Sequence, residues 1–261
     1  MEQHHKEAIE QFMKLYKQNS YVIAILLTGS LAHGYAKPDS DIDIILVVDN
    51  TEYERRKREN QLAFSLWDIC NYEGGYIDCK ITNIELLHEI AEKGSDASRY
   101  AFKDAHVLTS NNNEIYSVLN EICRFPQEKK AERQFRFACQ LLAWKWYMSQ
   151  AELKKNKYLV YLSSQKIILF ASRTVLNENE MLFPYHKWLL EELKKAEKKP
   201  DKFEDLLYSF SENPSLASAQ LLVDTLLGYI GIEENKIDWP NQFMIDSEMN
   251  WLYHEPPIDD L

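Results

Sequence analysis

The chain has 261 residues, of which 45% are hydrophobic and 12% aromatic, so it can fill one large core or two small ones, and wholesale disorder is excluded. A formal net charge of −11 argues against a protein that coats long nucleic acid by neutralising phosphates; it suits a small cationic or neutral substrate. The four cysteines, Cys70, Cys79, Cys123 and Cys139, show neither a CxxC pair nor zinc-binding Cys/His spacing and read as reduced structural thiols. No signal-peptide core opens the chain and no apolar run could cross a bilayer, so a soluble, cytoplasmic protein without a membrane partner is expected.

Taken in order, residues 3–17 predict an amphipathic helix, with Ala8, Ile9, Phe12, Met13 and Tyr16 on one stripe. A strand over 22–28 runs into the turn Gly29-Ser30, and a short helical or loop segment, 31–37, follows. Pro38 and Asp39 lead into a second strand, 42–48. Thr51-x-x-Glu54 has the form of a capping box and predicts a helix to about Trp67, carrying the basic run Arg55-Arg56-Lys57-Arg58 as a solvated face. Gly74-Gly75 predicts a turn before a third strand, 76–82. A capped helix over 83–93, a segment through Arg99 and Phe102, and a short strand at 106–108 complete this half.

The polar cluster Ser110-Asn111-Asn112-Asn113 marks the expected domain boundary, dividing the chain into 1–112 and 113–261. Beyond it the pattern is helical. Phe137, Leu141, Trp144, Met148 and Ala151 form the core stripe of a long helix, and further helices are expected over 158–176, from about 184, over 202–209, and after Asn213-Pro214 as N-cap and first-turn proline. The tail beyond Glu233 reads as irregular chain wrapped on the surface.

The chemistry concentrates in Thr28-Gly29-Ser30 and Ser40-Asp41-Ile42-Asp43-Ile44. Alternate strand residues share a face, so Asp41 and Asp43 point the same way with Cα atoms roughly 6–7 Å apart. Ile42, Ile44, Leu46 and Val48 take the buried face. Two carboxylates on one strand edge repel unless compensated, and a hard divalent cation with oxygen preference compensates them. These residues therefore read as a metal site beside a phosphate-binding turn.

With its spacing of Gly29, Ser30, Ala32, Gly34, Ser40, Asp41 and Asp43, the chain resembles the nucleotidyltransferase superfamily that includes DNA polymerase beta, over its first ~110 residues. The resemblance implies an α+β catalytic domain, a small mixed sheet with flanking helices, followed here by an all-α helical bundle, with the active site expected in the cleft between them. It implies in-line attack on the α-phosphate of a nucleoside triphosphate, with two Mg²⁺ ions about 3.5–4 Å apart as cofactors. Asp41 and Asp43 would hold the ions and Gly29 and Ser30 the leaving phosphates. The third carboxylate that the resemblance implies matches Asp78 by order and strand context, as metal ligand, general base or both, with Glu73 and Glu85 in reserve. His33 reads as a packing residue of the loop.

In the helical half, Lys166, Phe170 and Arg173 share one stripe, which should face a cleft, a carboxylate or solvent. The segment 177–188 resembles the helical domain of bacterial nucleotidyltransferases that modify small molecules, and the resemblance gives Lys187, with Lys166 and Arg173, as candidate triphosphate contacts. Trp144, Trp146, Tyr147, Tyr158 and Tyr161 could stack a ring but are read first as core. Arg99 to His106 has a spacing found in the HEPN family of RNA-cleaving domains, yet straddles a loop and a strand. The function implied is Mg²⁺-dependent transfer of a nucleoside monophosphate, AMP from ATP or another NTP, to a hydroxyl of a small acceptor such as an aminoglycoside- or lincosamide-like antibiotic. The alternatives are transfer to a protein or RNA end, or a catalytically silent nucleotide-binding regulator. A monomer and a homodimer both fit.

Overall fold

The computed structural model describes residues 1–253 and 255–260, which form two compact units, Met1–Arg124 and Phe125 onward. In the first unit α1 (Gln3–Tyr16) precedes β1 (Val22–Leu27), α2 (Gly29–His33), β2 (Ile42–Val48) and α3 (Asn50–Arg58). Then come β3 (Ala63–Leu66), β4 (Ile77–Thr82), α4 (Ile84–Lys93), α5 (Asp96–Tyr100), β5 (His106–Ser110) and α6 (Glu114–Cys123). The strands form one mixed sheet in the order β3-β4-β2-β1-β5, with β2 and β4 parallel and the other neighbours antiparallel.

Strand alternation decides what each face of the sheet carries. One face presents Ile42, Ile44, Leu46, Ile77, Cys79 and Ile81 and is sealed by Ala8, Ile9 and Phe12 of α1 and Tyr53 of α3. On the other, Ile45 and Val47 are covered by Leu87 of α4 and by Ile115, Val118, Leu119 and Ile122 of α6. That cover reaches only one end of the face. Asp43 lies two residues before Ile45 and is half-buried, and Ser65 and Trp67 beside β4 are exposed.

The expected boundary after residue 112 cuts off α6, whereas the compact unit extends to Arg124. Four α6 side chains are buried in the first unit's core, and each contributes roughly 1.5–3 kcal/mol over an exposed one. That outweighs the loop-like look of the Asn run. Two other expectations change here. The helix predicted from Thr51 to Trp67 stops at Arg58, and residues 63–66 form β3. Its cap is Asp49, whose side chain accepts from Glu52 N at 2.8 Å. Within the basic run Arg55 pairs with Glu52 of its own helix (2.8 Å) and with Glu59 just past the helix end (2.5 Å), and Arg56 pairs with Glu52 (2.6 Å).

The described second unit contains no strand. α7 (Lys130–Leu153) packs against α8 (Lys157–Glu178), followed by α9 (Leu189–Lys194), α10 (Phe203–Glu212), α11 (Leu216–Ile230) and α12 (Trp239–Phe243). The predicted stripe of α7 is largely core: Phe137, Leu141, Met148 and Ala151 are buried and Trp144 is half-buried. α11 starts later than expected, because Ser215 rather than Asn213 caps it through a reciprocal pair with Ser218. The tail is not irregular throughout. Asp238 caps α12 with Pro240 in its first turn, Phe243 is buried, and Asp246 pairs with Arg136 of α7 at 2.9 Å.

Candidate active site

The parallel register of β2 and β4 places Asp43 directly opposite Asp78, and the antiparallel register of β3 places Ser65 opposite Asp78. On the other side of Asp43, Thr28 N donates to the Asp43 carbonyl at 2.9 Å. One row across the sheet therefore reads Thr28, Asp43, Asp78, Ser65, all on one face. Extending both registers by one same-face step gives a second row, Asp41, Tyr76, Trp67. The chemistry agrees with the geometry. Tyr76 hydroxyl donates to the Asp41 carboxylate, and its phenol is pushed above the usual range by that bond first, then by the charge of Asp41, then by burial and by Asp78 and Asp43. The Tyr76 ring stacks on Trp67 with centroids 4.3 Å apart and planes 21° from parallel.

The turn from β1 explains why glycine stands at position 29. Its φ is +64°, and a Cβ there would lie 1.8 Å from Oδ2 of Asp43. Only a residue without a side chain lets the backbone reach this carboxylate. Ser30 follows on α2; its hydroxyl is buried and makes no hydrogen bond. A buried hydroxyl without a partner is costly, and a phosphate oxygen is the kind of acceptor that removes the cost.

A strap from elsewhere in the unit holds the loop before Asp41. Tyr72 hydroxyl donates to Ser40 O at 2.8 Å, Lys37 N donates to Ser40 Oγ at 2.8 Å, and a His4 ring nitrogen meets Pro38 O at 2.8 Å. His4 and His5 both pack on the Tyr72 ring. Burial first, then the proximity of His4, lowers the basicity of His5.

Among the described residues no three His, Cys, Asp or Glu side chains converge as a ready metal cage. The reason is visible in their partners: Asp41 is held by Tyr76, and Asp78 leans to Lys80 at 3.4 Å. The donor set is nevertheless all oxygen, from carboxylates on the adjacent β2 and β4 strand lines with the buried Ser30 hydroxyl on α2, and that chemistry fits a hard divalent cation.

The remaining sequence candidates fall as follows. Glu85 accepts from Asn50 beyond the C-terminal end of β4, whereas Asp78 is near that strand's start. Glu73 is exposed in the loop before Gly74. His33 packs on Tyr100 at 4.7 Å and meets Asp104 at 3.4 Å. Arg99 donates to the carbonyls of Gly94, Ala91 and Arg124, a structural role that absorbs the RNase-like spacing. Within the second unit, Lys166 lies over the Trp144 ring at 5.8 Å and Lys187 over Trp188 at 4.9 Å. The Arg173 guanidinium sits between Phe137 and Phe183, 4.7 and 4.8 Å from their centroids. Trp146, Tyr158 and Tyr161, read as core, are exposed instead. Sequence reasoning placed Tyr76 on the face of Asp78 without giving it a role and missed Tyr72 and Trp67: the helix assigned to residues 51–67 hid β3 and with it Trp67, and Tyr72 lies in a loop outside both strands.

Residues 10–96 match the family model described as polymerase beta, nucleotidyltransferase. The first unit thus contains a nucleotidyltransferase domain of the polymerase beta type. No curated protein matches the chain. Among solved structures, the chain is similar to a nucleotidyltransferase-like protein from Exiguobacterium sibiricum 255-15, at 10% identity and a TM-score of 0.47, over 95% of this chain and 87% of that one. Among the described residues, no helix is long and apolar enough to cross a membrane.

Proposed function

We propose that the protein transfers a nucleoside monophosphate, AMP from ATP in the leading case, to a hydroxyl of a small acceptor and releases pyrophosphate. The observation that carries this reading is the in-register pairing of Asp43 with Asp78, with Gly29 close against Asp43. Asp41, Asp43 and Asp78 would hold Mg²⁺, which supplies charge neutralisation at the attacking and leaving oxygens. Asp78 takes the proton of the acceptor hydroxyl as its oxygen attacks the α-phosphorus. The bond from that phosphorus to the bridging oxygen breaks, and the electron pair leaves with pyrophosphate. Gly29 allows backbone approach to the departing phosphates and Ser30 hydroxyl donates to them. Tyr76 orients the Asp41 carboxylate through its hydrogen bond.

Lys166 and Lys187, the other sequence candidates, lie over Trp144 and Trp188 of their own unit. The Arg173 guanidinium already lies between two rings of its own unit, and we assign it to packing. The test is pyrophosphate release from each NTP with Mg²⁺ and a panel of hydroxylated acceptors, aminoglycosides and lincosamides included. Turnover with a small acceptor that disappears in Asp41→Asn and Asp43→Asn supports the reading. Turnover only with a protein or RNA end, or nucleotide binding without turnover on any acceptor, overturns it in favour of the two alternatives.

A further inference from the structure

We infer that Tyr72 and His5 are positioning residues for Asp41, and that through the carbonyl of Ser40 they set where this carboxylate stands for the metal. The inference rests on the nucleotidyl-transfer reading and adds to it two residues that act through a third.

Asp41 and Asp43 are held in different ways. Asp43 lies inside the sheet, paired with Asp78 on β4, and Thr28 N donates to its carbonyl at 2.9 Å. Asp41 precedes the first residue of β2 and falls outside the paired registers of that strand. Tyr76 hydroxyl orients its carboxylate, but its backbone follows the loop 37–40. That loop is closed on itself: Lys37 N donates to Ser40 Oγ at 2.8 Å and Ser40 N donates to Lys37 O at 3.1 Å. The Ser40 carbonyl belongs to the peptide unit that joins Ser40 to Asp41. Because that unit is planar, fixing its oxygen also fixes the plane containing the Asp41 nitrogen and Cα.

Tyr72 hydroxyl donates to the Ser40 carbonyl at 2.8 Å. It stays a donor, because burial first, then the neighbouring Cys70, push the phenol above its usual range. The ring has a seat made for it. A Cβ on Gly75 would lie 2.5 Å from Cζ of Tyr72, so only glycine lets the ring rest on that turn. His4 and His5 pack on the same ring, with centroids 4.2 and 5.1 Å away. His5 is 1% exposed, and its Nδ1 accepts from Glu2 N at 3.2 Å, which leaves the proton of the neutral ring on Nε2. Burial is the first influence on this ring and lowers its basicity; the Ser40 backbone opposes it, as an oxygen facing a ring N–H does. Two buried rings from separate segments, α1 and the loop before Gly74, thus converge on one carbonyl next to Asp41.

The test is Mn²⁺ binding to the full chain, read by electron paramagnetic resonance of the free ion, with Mn²⁺ as the visible stand-in for Mg²⁺ at an all-oxygen site. Tyr72→Phe keeps the ring and its seat and removes the hydroxyl. It should weaken Mn²⁺ binding by about tenfold, as loss of a group that orients a metal ligand does. His5→Phe should weaken it in the same direction. Circular dichroism checks the fold of each variant; if one fails to fold the other decides, and failure of both makes the residues structural and overturns the inference. A double-mutant cycle separates positioning from general loosening: with Asp41→Asn already present, Tyr72→Phe should change Mn²⁺ affinity by less than about twofold. Unchanged affinity in Tyr72→Phe, or the same loss with Asp41 already replaced, overturns the inference and leaves the metal assignment standing. Mn²⁺ affinity indifferent to Asp41→Asn, or no Mn²⁺ bound by wild type, removes the metal assignment and the inference with it.

Discussion

Gly29 stands so close against Asp43 that no side chain on residue 29 would fit beside that carboxylate. A Cβ on Gly29 would lie 1.8 Å from Oδ2 and 2.4 Å from Cγ of Asp43, and the φ of +64° disfavours any L side chain. Gly29→Ala should therefore push the Asp43 carboxylate away from its place and add backbone strain of roughly 1–3 kcal/mol. We expect nucleotidyl transfer to fall at least 10²-fold, with a lower Tm. Measured pyrophosphate release near the wild-type rate would show that the contact is dispensable.

Asp43 and Asp78 face each other across adjacent parallel strands, where like charges are destabilising. Replacing either by Asn removes repulsion, so without divalent cation Asp43→Asn should melt at or above the wild-type temperature. Added Mg²⁺ should raise the Tm of wild type, because ligand bound only to the folded state stabilises it, and should leave Asp43→Asn unmoved. Both Asn variants should lose transfer activity by about 10² or more. A Tm that falls in cation-free buffer would show the carboxylates to be structural.

The acidic half of this site was legible because its signal is local: Gly29-Ser30 and the alternating Asp41 and Asp43 each fall within a few residues, and Asp78 stood in a strand with a clear period of two. β3 was not. It is a four-residue edge strand whose inward residues, Phe64 and Leu66, and outward residues, Ala63 and Ser65, look like the continuation of a helix entered at the Arg-Lys run. Losing β3 lost Trp67, since the residue becomes meaningful only when its cross-strand neighbour Tyr76 is known. Aromatic partners for Lys166 and Arg173 were equally hidden, because they come from other segments of the second unit, Phe183 among them, and no spacing rule connects those to α8. The α12 signal, Asp238 followed by Pro240, was present in the sequence but outweighed by the prolines around it.

Glu52 accepts from Arg55 at 2.8 Å and from Arg56 at 2.6 Å, and its carboxyl is lowered to about 2, by the Arg55 bond first, with burial opposing and Arg56 assisting. A carboxylate whose folded pKa is depressed contributes stability above its unfolded value, 4.5 here, and loses it as pH falls through about 2. Arg55 is 43% exposed, so solvent screening holds the contribution to about 1 kcal/mol. Glu52→Gln should lower stability by that amount at pH 7 and flatten the acid limb of a Tm-versus-pH curve between 4.5 and 2. A variant curve parallel to wild type would assign the acid limb to other carboxylates.

Arg173 tests the division of labour in the second unit. Its guanidinium lies 4.7 Å from the Phe137 centroid and 4.8 Å from that of Phe183, so it joins α7 to the segment that follows α8. Each such contact contributes about 0.5–1 kcal/mol, or about 2 when desolvated. Arg173→Met keeps the apolar stem and removes the charge; it should cost about 1–2 kcal/mol in denaturant unfolding while nucleotide affinity stays within twofold of wild type. Lys187→Ala, exposed at its position, should leave stability unchanged. A loss of nucleotide affinity in Arg173→Met without a stability change would return that residue to the phosphate-binding set.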